Sequence, residues 1–330
     1  MKLATLNDGT RDGELIVVSR DLKRAVSAKP RVATLQRALE TWTTSEALLR
    51  ELADAIETGS CPEVFTVDTA KLAAPLPRAA QWLDGSAFHS HGDLMEKVFG
   101  LDPPADKHTI PLMYQGGSDD LLGANADVPV PSEALGIDFE AEVGVVVDDV
   151  PIGVPAARAL DHVKLIVLIN DVSLRTLAGR EMKTGFGWIQ AKPACSMAPF
   201  AVTPDALGDA WRDGRVCLDL MVEWNDEPFG RANGREMAYG FHELVAHAAA
   251  TRDLVAGTVI GSGTIANANY AEVGSSCISE RRAIEIIADG KPTTPFMRFG
   301  DGCRMQAQTA DNGTPFGAIE QRVIQQPTGK

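Results

Sequence analysis

Residues 164–177 read KLIVLINDVSLRTL, and every position from Leu165 to Ile169 is apolar. Such a run has neither the 3.6-residue period of a surface helix nor the alternation of a half-exposed strand. It reads as a strand buried on both faces, which obliges the chain to build a sheet covered on each side. Further β-branched runs supply neighbours: GIDFEAEVGVVV from residue 136, VCLDLMVEW from 216, GTVIGSGTI from 257 and RAIEIIA from 282. Their irregular spacing, with a helical piece expected around residues 243–250, favours an α+β, β-rich roll or sandwich over a doubly wound nucleotide fold.

Ahead of these runs, Leu15–Val18 reads as a short strand, and an amphipathic helix is expected from about Val32 to Ile56, stopped by Gly59 and Pro62. The connector LAAPLPRAA, residues 72–80, carries prolines that can extend neither a helix nor a central strand. The expected division is a small N-terminal module, residues 1–75, and a catalytic domain, residues 76–330. A net charge of −14 argues against nucleic acid, which needs a concentrated basic surface. No apolar stretch is long enough to span a bilayer or to act as a leader, so a cytoplasmic protein without a membrane partner is expected. The five cysteines are scattered and without C-x-x-C spacing, and read as small buried hydrophobes.

Three segments carry candidate chemistry. In Asp138-Phe139-Glu140-Ala141-Glu142, strand alternation places the three acids on one face, roughly 6–7 Å apart. Carboxylates in such a row repel unless a cation joins them, and oxygen-only ligands suit Mg²⁺, Mn²⁺ or Ca²⁺ better than zinc. A solvated edge strand is the equal alternative for this pentapeptide alone. Asp171 follows the buried run; if a helix begins there, Asp171 and Arg175 share a face, and an N-cap with a helical ion pair is the plainer reading. In QWLDGSAFHSHGDLMEKVFG, a helix would bring Asp84 and His91 onto one face and turn His89 away, though two partly exposed histidines near a helix start are the plainer reading of this segment alone. His242 and His247 are five apart, which rules out the H-E-x-x-H zinc helix, and Gly261-Ser262-Gly263 lacks the spacing of a nucleophile elbow.

Together these segments resemble the fumarylacetoacetate hydrolase (fumarylacetoacetase) family of the bacterial two-domain type, from about Pro75 to Gly317. The resemblance implies a β-roll with a small N-terminal barrel-like module, and a homodimer. Its D-[YF]-E-x-E strand implies metal ligation by Glu140 and Glu142, its N-D-x-S-x-R segment by Asp171, and the aspartate seven residues before the catalytic histidine selects Asp84 and His91. Lys192 in Gln190-Ala191-Lys192-Pro193 matches an active-site lysine. Arg175, Tyr114 and Thr264 match substrate-facing positions, and Ser196 a hydroxyl near the metal. The glutamate that partners the histidine is Glu280 if a small insertion is allowed, with Glu272 behind it. Two departures concern the far end of the substrate: Ala178 stands where some members have glutamine, and no arginine closely follows His91.

The implied activity is metal-dependent hydrolysis of a carbon–carbon bond in a small acidic 1,3-dioxo compound such as fumarylacetoacetate or an acylpyruvate, as in aromatic or tyrosine catabolism, with Mg²⁺ foremost and Ca²⁺ or Mn²⁺ as alternatives. A histidine suits the general base because its ordinary pKa is near neutrality. The same platform serves 2-oxo-acid hydratases, decarboxylases and isomerases. A non-catalytic protein stapled by a metal would need neither Lys192 nor Arg175.

Overall fold

The computed structural model describes residues 1–100, 102 and 104–326. One eleven-stranded sheet organises the chain. From one edge it runs Phe65–Thr66, Arg24–Ser27, Glu14–Val18, Lys2–Leu6, Ala201–Val202, Val163–Asn170, Ala141–Val147, Thr258–Gly261, Gln81–Gly85 and Met113–Gly116, with Ser196–Met197 also paired to Val163–Asn170. Residues 1–75 therefore share this sheet with the rest of the chain, joined through Lys2↔Val202 and Leu3↔Ala201.

The apolar run explains why the sheet is covered twice. Leu165, Val167 and Ile169 pack into a core shared with Leu35, Leu39, Trp42, Leu49 and Ile56 of the N-terminal helices. Ile166 and Leu168 point the other way, into a core shared with Leu220, Val222, Met305 and Ile319 of a second, five-stranded sheet. Each such side chain contributes about 1.5–3 kcal/mol by leaving water, so the strand is fixed by burial on both sides.

Four local readings need correction. The expected helix over 32–56 is two helices, Leu35–Glu40 and Trp42–Thr58. They part at Thr41, whose backbone leaves the helical region (φ −129, ψ 36) and whose hydroxyl bonds back to the Arg37 carbonyl at 2.9 Å. RAIEIIA lies in a helix, Ile278–Asp289, stopped by Gly290 in the left-handed region. Its start explains why the β-branched residues did not make a strand: the Asp138 carboxylate accepts from the Ile278 and Ser279 amides at 2.7 and 2.9 Å, satisfying donors that a helix leaves open. That contact also breaks the predicted row of acids. Ile137–Asp138 pairs separately with Ser173–Leu174, and the long strand begins only at Ala141. Finally, Asp84 and His91 occupy a strand, Gln81–Gly85, and a helix, His89–Phe99, rather than one helix.

Candidate active site

Strands of the one sheet deliver the acids, with Thr258–Gly261 lying between those of Glu142 and Asp84. Glu142 lies in Ala141–Val147, Asp171 follows Val163–Asn170, and Asp84 lies in Gln81–Gly85, opposite both Tyr114 and Gly261. Crowding here demands glycine: a Cβ on Gly261 would stand 2.3 Å from Asp84 Oδ1. Gly263, at φ +77, turns its amide to donate to Asp84 Oδ1 at 3.0 Å. Asp84, Glu142 and Asp171 are all buried, and one carboxylate oxygen from each falls within 4.8 Å of the others. Asp171 is not on a helix, so neither the shared face with Arg175 nor the N-cap reading holds; the helix starts at Arg175.

Asp171 is held by three donors. Tyr114 Oη and Lys192 Nζ reach Oδ2 at 2.7 and 2.5 Å, and Cys195 Sγ reaches Oδ1 at 2.8 Å. Glu140 stands beside this group in a network of its own: Lys192 Nζ at 2.6 Å and Ser173 Oγ at 2.5 Å donate to Oε1, and Thr264 Oγ1 donates to Oε2. Arg175 Nε donates to Asp138 Oδ2 at 2.8 Å; its Nη2 comes within 3.2 Å of Glu140 Oε1 but is too poorly aligned for a hydrogen bond and has none elsewhere.

Charge divides this site. Burial opposes ionisation of Glu140, but Arg175 and Lys192 outweigh it and hold the carboxyl well below the ordinary range. Burial and the Asp171 charge push Asp84 up to about 8, and burial with the neighbouring Asp84, Asp171 and Glu140 raises Glu142 strongly. Both Glu142 oxygens are buried and accept no hydrogen bond, so only a proton shared with Asp84, or a cation, can satisfy them. Burial alone would lower Lys192, yet Asp171 and Glu140 drive it upward, keeping it an ammonium. The buried Ser196 hydroxyl is likewise unpartnered.

A second group forms where the helices His89–Phe99 and Ile278–Asp289 meet. His91 Nδ1 lies 3.7 Å from Glu280 Oε2, and both oxygens of the fully buried Glu280 lack donors. Glu272 is elsewhere, accepting from Asn269. His89 faces His108 and Tyr239, and burial followed by His108 lowers its pKa.

Sequence reasoning missed Ser173, although it stands inside the N-D-x-S-x-R segment, and it read Cys195 as a mere hydrophobe. Nothing in the spacing of either marks it as a donor to a carboxylate. It also missed Trp188, whose ring lies 4.8 Å from that of Tyr114 and 5.5 Å from Lys192 Nζ.

The family model described as fumarylacetoacetate (FAA) hydrolase C-terminal matches residues 80–324, and that described as fumarylacetoacetase N-terminal domain 2 matches residues 1–78. The chain belongs to the fumarylacetoacetate hydrolase family. Among curated proteins it is similar to a 2,4-didehydro-3-deoxy-L-rhamnonate hydrolase of Sphingomonas sp. (strain SKA58), 30% identical over 159 residues, which are 47% of this chain and 53% of that protein. The chain thus spans about half the length of the curated relatives it matches. Among solved structures it is similar to maleylpyruvate hydrolase from Sphingobium sp. SYK-6 in complex with manganese(II) and pyruvate, at a TM-score of 0.66 and 18% identity over 99% of this chain and 100% of the other. It is also similar to 5-carboxymethyl-2-hydroxymuconate delta-isomerase from Mycobacterium smegmatis, at 0.60 and 19% over 99% and 100%. At these identities the structures share the fold of this family, mixed α and β and rich in sheet. Among the described residues, no helix is long and apolar enough to cross a membrane.

Proposed function

We propose that the chain is a divalent-metal-dependent hydrolase of acylpyruvates, cleaving the carbon–carbon bond between their two carbonyl groups. The observation that carries this reading is the convergence of Asp84, Glu142 and Asp171, with both Glu142 oxygens unpartnered, in a protein that also pairs His91 with Glu280. Oxygen donors and uncompensated charge fit a hard ion. Those three residues would hold it, with Glu140 beside them as the fourth acid and Mg²⁺ as the first choice; the maleylpyruvate hydrolase neighbour holds manganese. Such an ion, when bound, polarises the carbonyl groups of a chelating dioxo acid.

The chain's own groups supply the rest. With Nδ1 turned toward Glu280, His91 offers Nε2 to take a proton from water. The hydroxide so formed adds to the acyl carbon. The bond from that carbon to the methylene then breaks, leaving a carboxylic acid, and the electron pair stays with pyruvate as its enolate, which takes a proton at the methylene. Lys192, kept cationic by Asp171 and Glu140, stabilises that enolate's charge. Arg175, whose buried Nη2 has no hydrogen-bond partner, would bind the carboxylate of the pyruvate half.

The test is an assay of chelator-stripped protein on acetylpyruvate with and without Mg²⁺ or Mn²⁺, following loss of enol absorbance and identifying the products. Metal-dependent release of acetate and pyruvate, abolished in His91→Ala, is expected. Absence of cleavage with metal bound would instead favour an isomerase or decarboxylase on the same site.

A further inference from the structure

Two segments that carry no charge meet beside Lys192: residues 110–117, IPLMYQGG, and residues 184–191, TGFGWIQA. In a chain that is 23% charged, most of these sixteen uncharged residues are at least partly exposed, Pro111 and Ala191 being the buried ones. Their two aromatic rings, Tyr114 and Trp188, meet 4.8 Å apart at an interplanar angle of 60°, beside Lys192. Phe186 and Ile189, on either side of Trp188, are 95% and 81% exposed.

Trp188 is also held in place. The Glu181 carboxylate accepts from the amides of Ile189, Gln190 and Ala191 at 3.1, 2.9 and 3.0 Å, fixing the backbone that follows the indole. A large flat side chain on an anchored segment binds apolar groups with little entropy left to lose.

The cations in contact with the acidic groups are already committed, and Lys183, next to the second segment, is exposed. Lys192 is paired with Glu140 and Asp171, and the guanidinium of Arg175 faces Asp138 and Glu140, leaving Nη2 for one carboxylate. Lys107, on the segment after the His91 helix, is paired with Asp93 and Glu96. A second carboxylate packed against Tyr114 and Trp188 would lie on uncharged aromatic side chains in an acidic protein.

Resting on the acylpyruvate reading above, we propose that the Tyr114–Trp188 wall selects substrates whose acyl group is flat and apolar, an aryl or alkenyl group, over those ending in a carboxylate, and that Trp188 is the specificity-determining residue. For an aroylpyruvate, water adds at the aroyl carbon, the bond to the methylene breaks, and an arenecarboxylic acid and pyruvate are released.

The experiment measures kcat/KM on acetylpyruvate, benzoylpyruvate and fumarylpyruvate with the metal-loaded protein, for wild type, Trp188→Ala and Trp188→Phe, together with binding of the last two compounds by calorimetry. Wild type is expected to prefer benzoylpyruvate to fumarylpyruvate. Trp188→Ala should lower that preference about tenfold, as losing part of an apolar pocket does, and Trp188→Phe should largely restore it. Equal or reversed preference in wild type, or a ratio unmoved in Trp188→Ala, would overturn the inference. If none of the three is cleaved, the proposed reaction fails, and the wall is then judged by binding alone: tighter benzoylpyruvate binding that depends on Trp188 supports it, and its absence sinks it.

Discussion

On the Glu140 side of the site, Lys192, Ser173 and Thr264 gather as donors around one carboxylate, with Arg175 close by. On the Glu142 side, two residues further along the chain, two further carboxylates approach a third whose oxygens have no donor. Both glutamates are buried, so burial does not separate them; the charges brought against them do. The first region is electrostatically complete within the chain. The second is complete only with protons or an added cation, which is why the metal is proposed there.

The sharpest way to break this contrast is Lys192→Met, which strips the cation from two buried carboxylates at once. Removing one partner of a buried pair costs about 3–5 kcal/mol, so chemical denaturation should register a loss of that size. An unchanged midpoint would mean that Lys192 is not needed to hold Glu140 and Asp171, with Arg175 sufficing for Glu140.

Metal should move the other region. A divalent ion at a hundred times its Kd stabilises by about 2.7 kcal/mol if it binds only the folded chain. Without metal, the sign of the pH effect follows from the raised carboxyls. Asp84 and Glu142 keep their protons more firmly folded than unfolded, so their contribution is complete below the ordinary carboxylate range and is lost as pH rises through about 8 for Asp84. Stripped protein should therefore lose stability from this cluster between about pH 4 and pH 8, and Mg²⁺ should restore it at the upper end. In Glu142→Gln both the slope and the metal-induced rise in Tm should shrink; a full metal response in that variant would place the ion elsewhere.

A smaller change sharpens the comparison from the compensated side. Thr264→Val removes one hydrogen bond to a charged, buried oxygen, worth about 2 kcal/mol, and should weaken the fold with or without metal. Dependence of that loss on metal would show that the two regions are coupled.

Much of this was legible beforehand, for a physical reason that differs by residue. The run Leu165–Ile169 announced a doubly covered strand because apolarity at every position has few other outlets, and its alternate residues do enter two cores. The family motifs pointed to Asp84, His91, Glu140, Glu142 and Asp171 because their spacing within each segment is local. Asp138 was misread, since strand alternation could not foresee that its carboxylate would leave the row for a helix 140 residues away. The helix over 32–56 was drawn through Thr41 because periodicity continues across a break made by one side chain.

Residue type and order thus determined the covered sheet and a surplus of acids that needs cations. They could not determine which acid receives which cation. Glu140 and Glu142 are equivalent in sequence, and only tertiary contacts between segments far apart in the chain bring Lys192, Ser173 and Thr264 to one and leave the other unpartnered. Local preference acts over a few residues, whereas the electrostatic fate of a buried charge depends on whatever the fold places within a few ångströms of it.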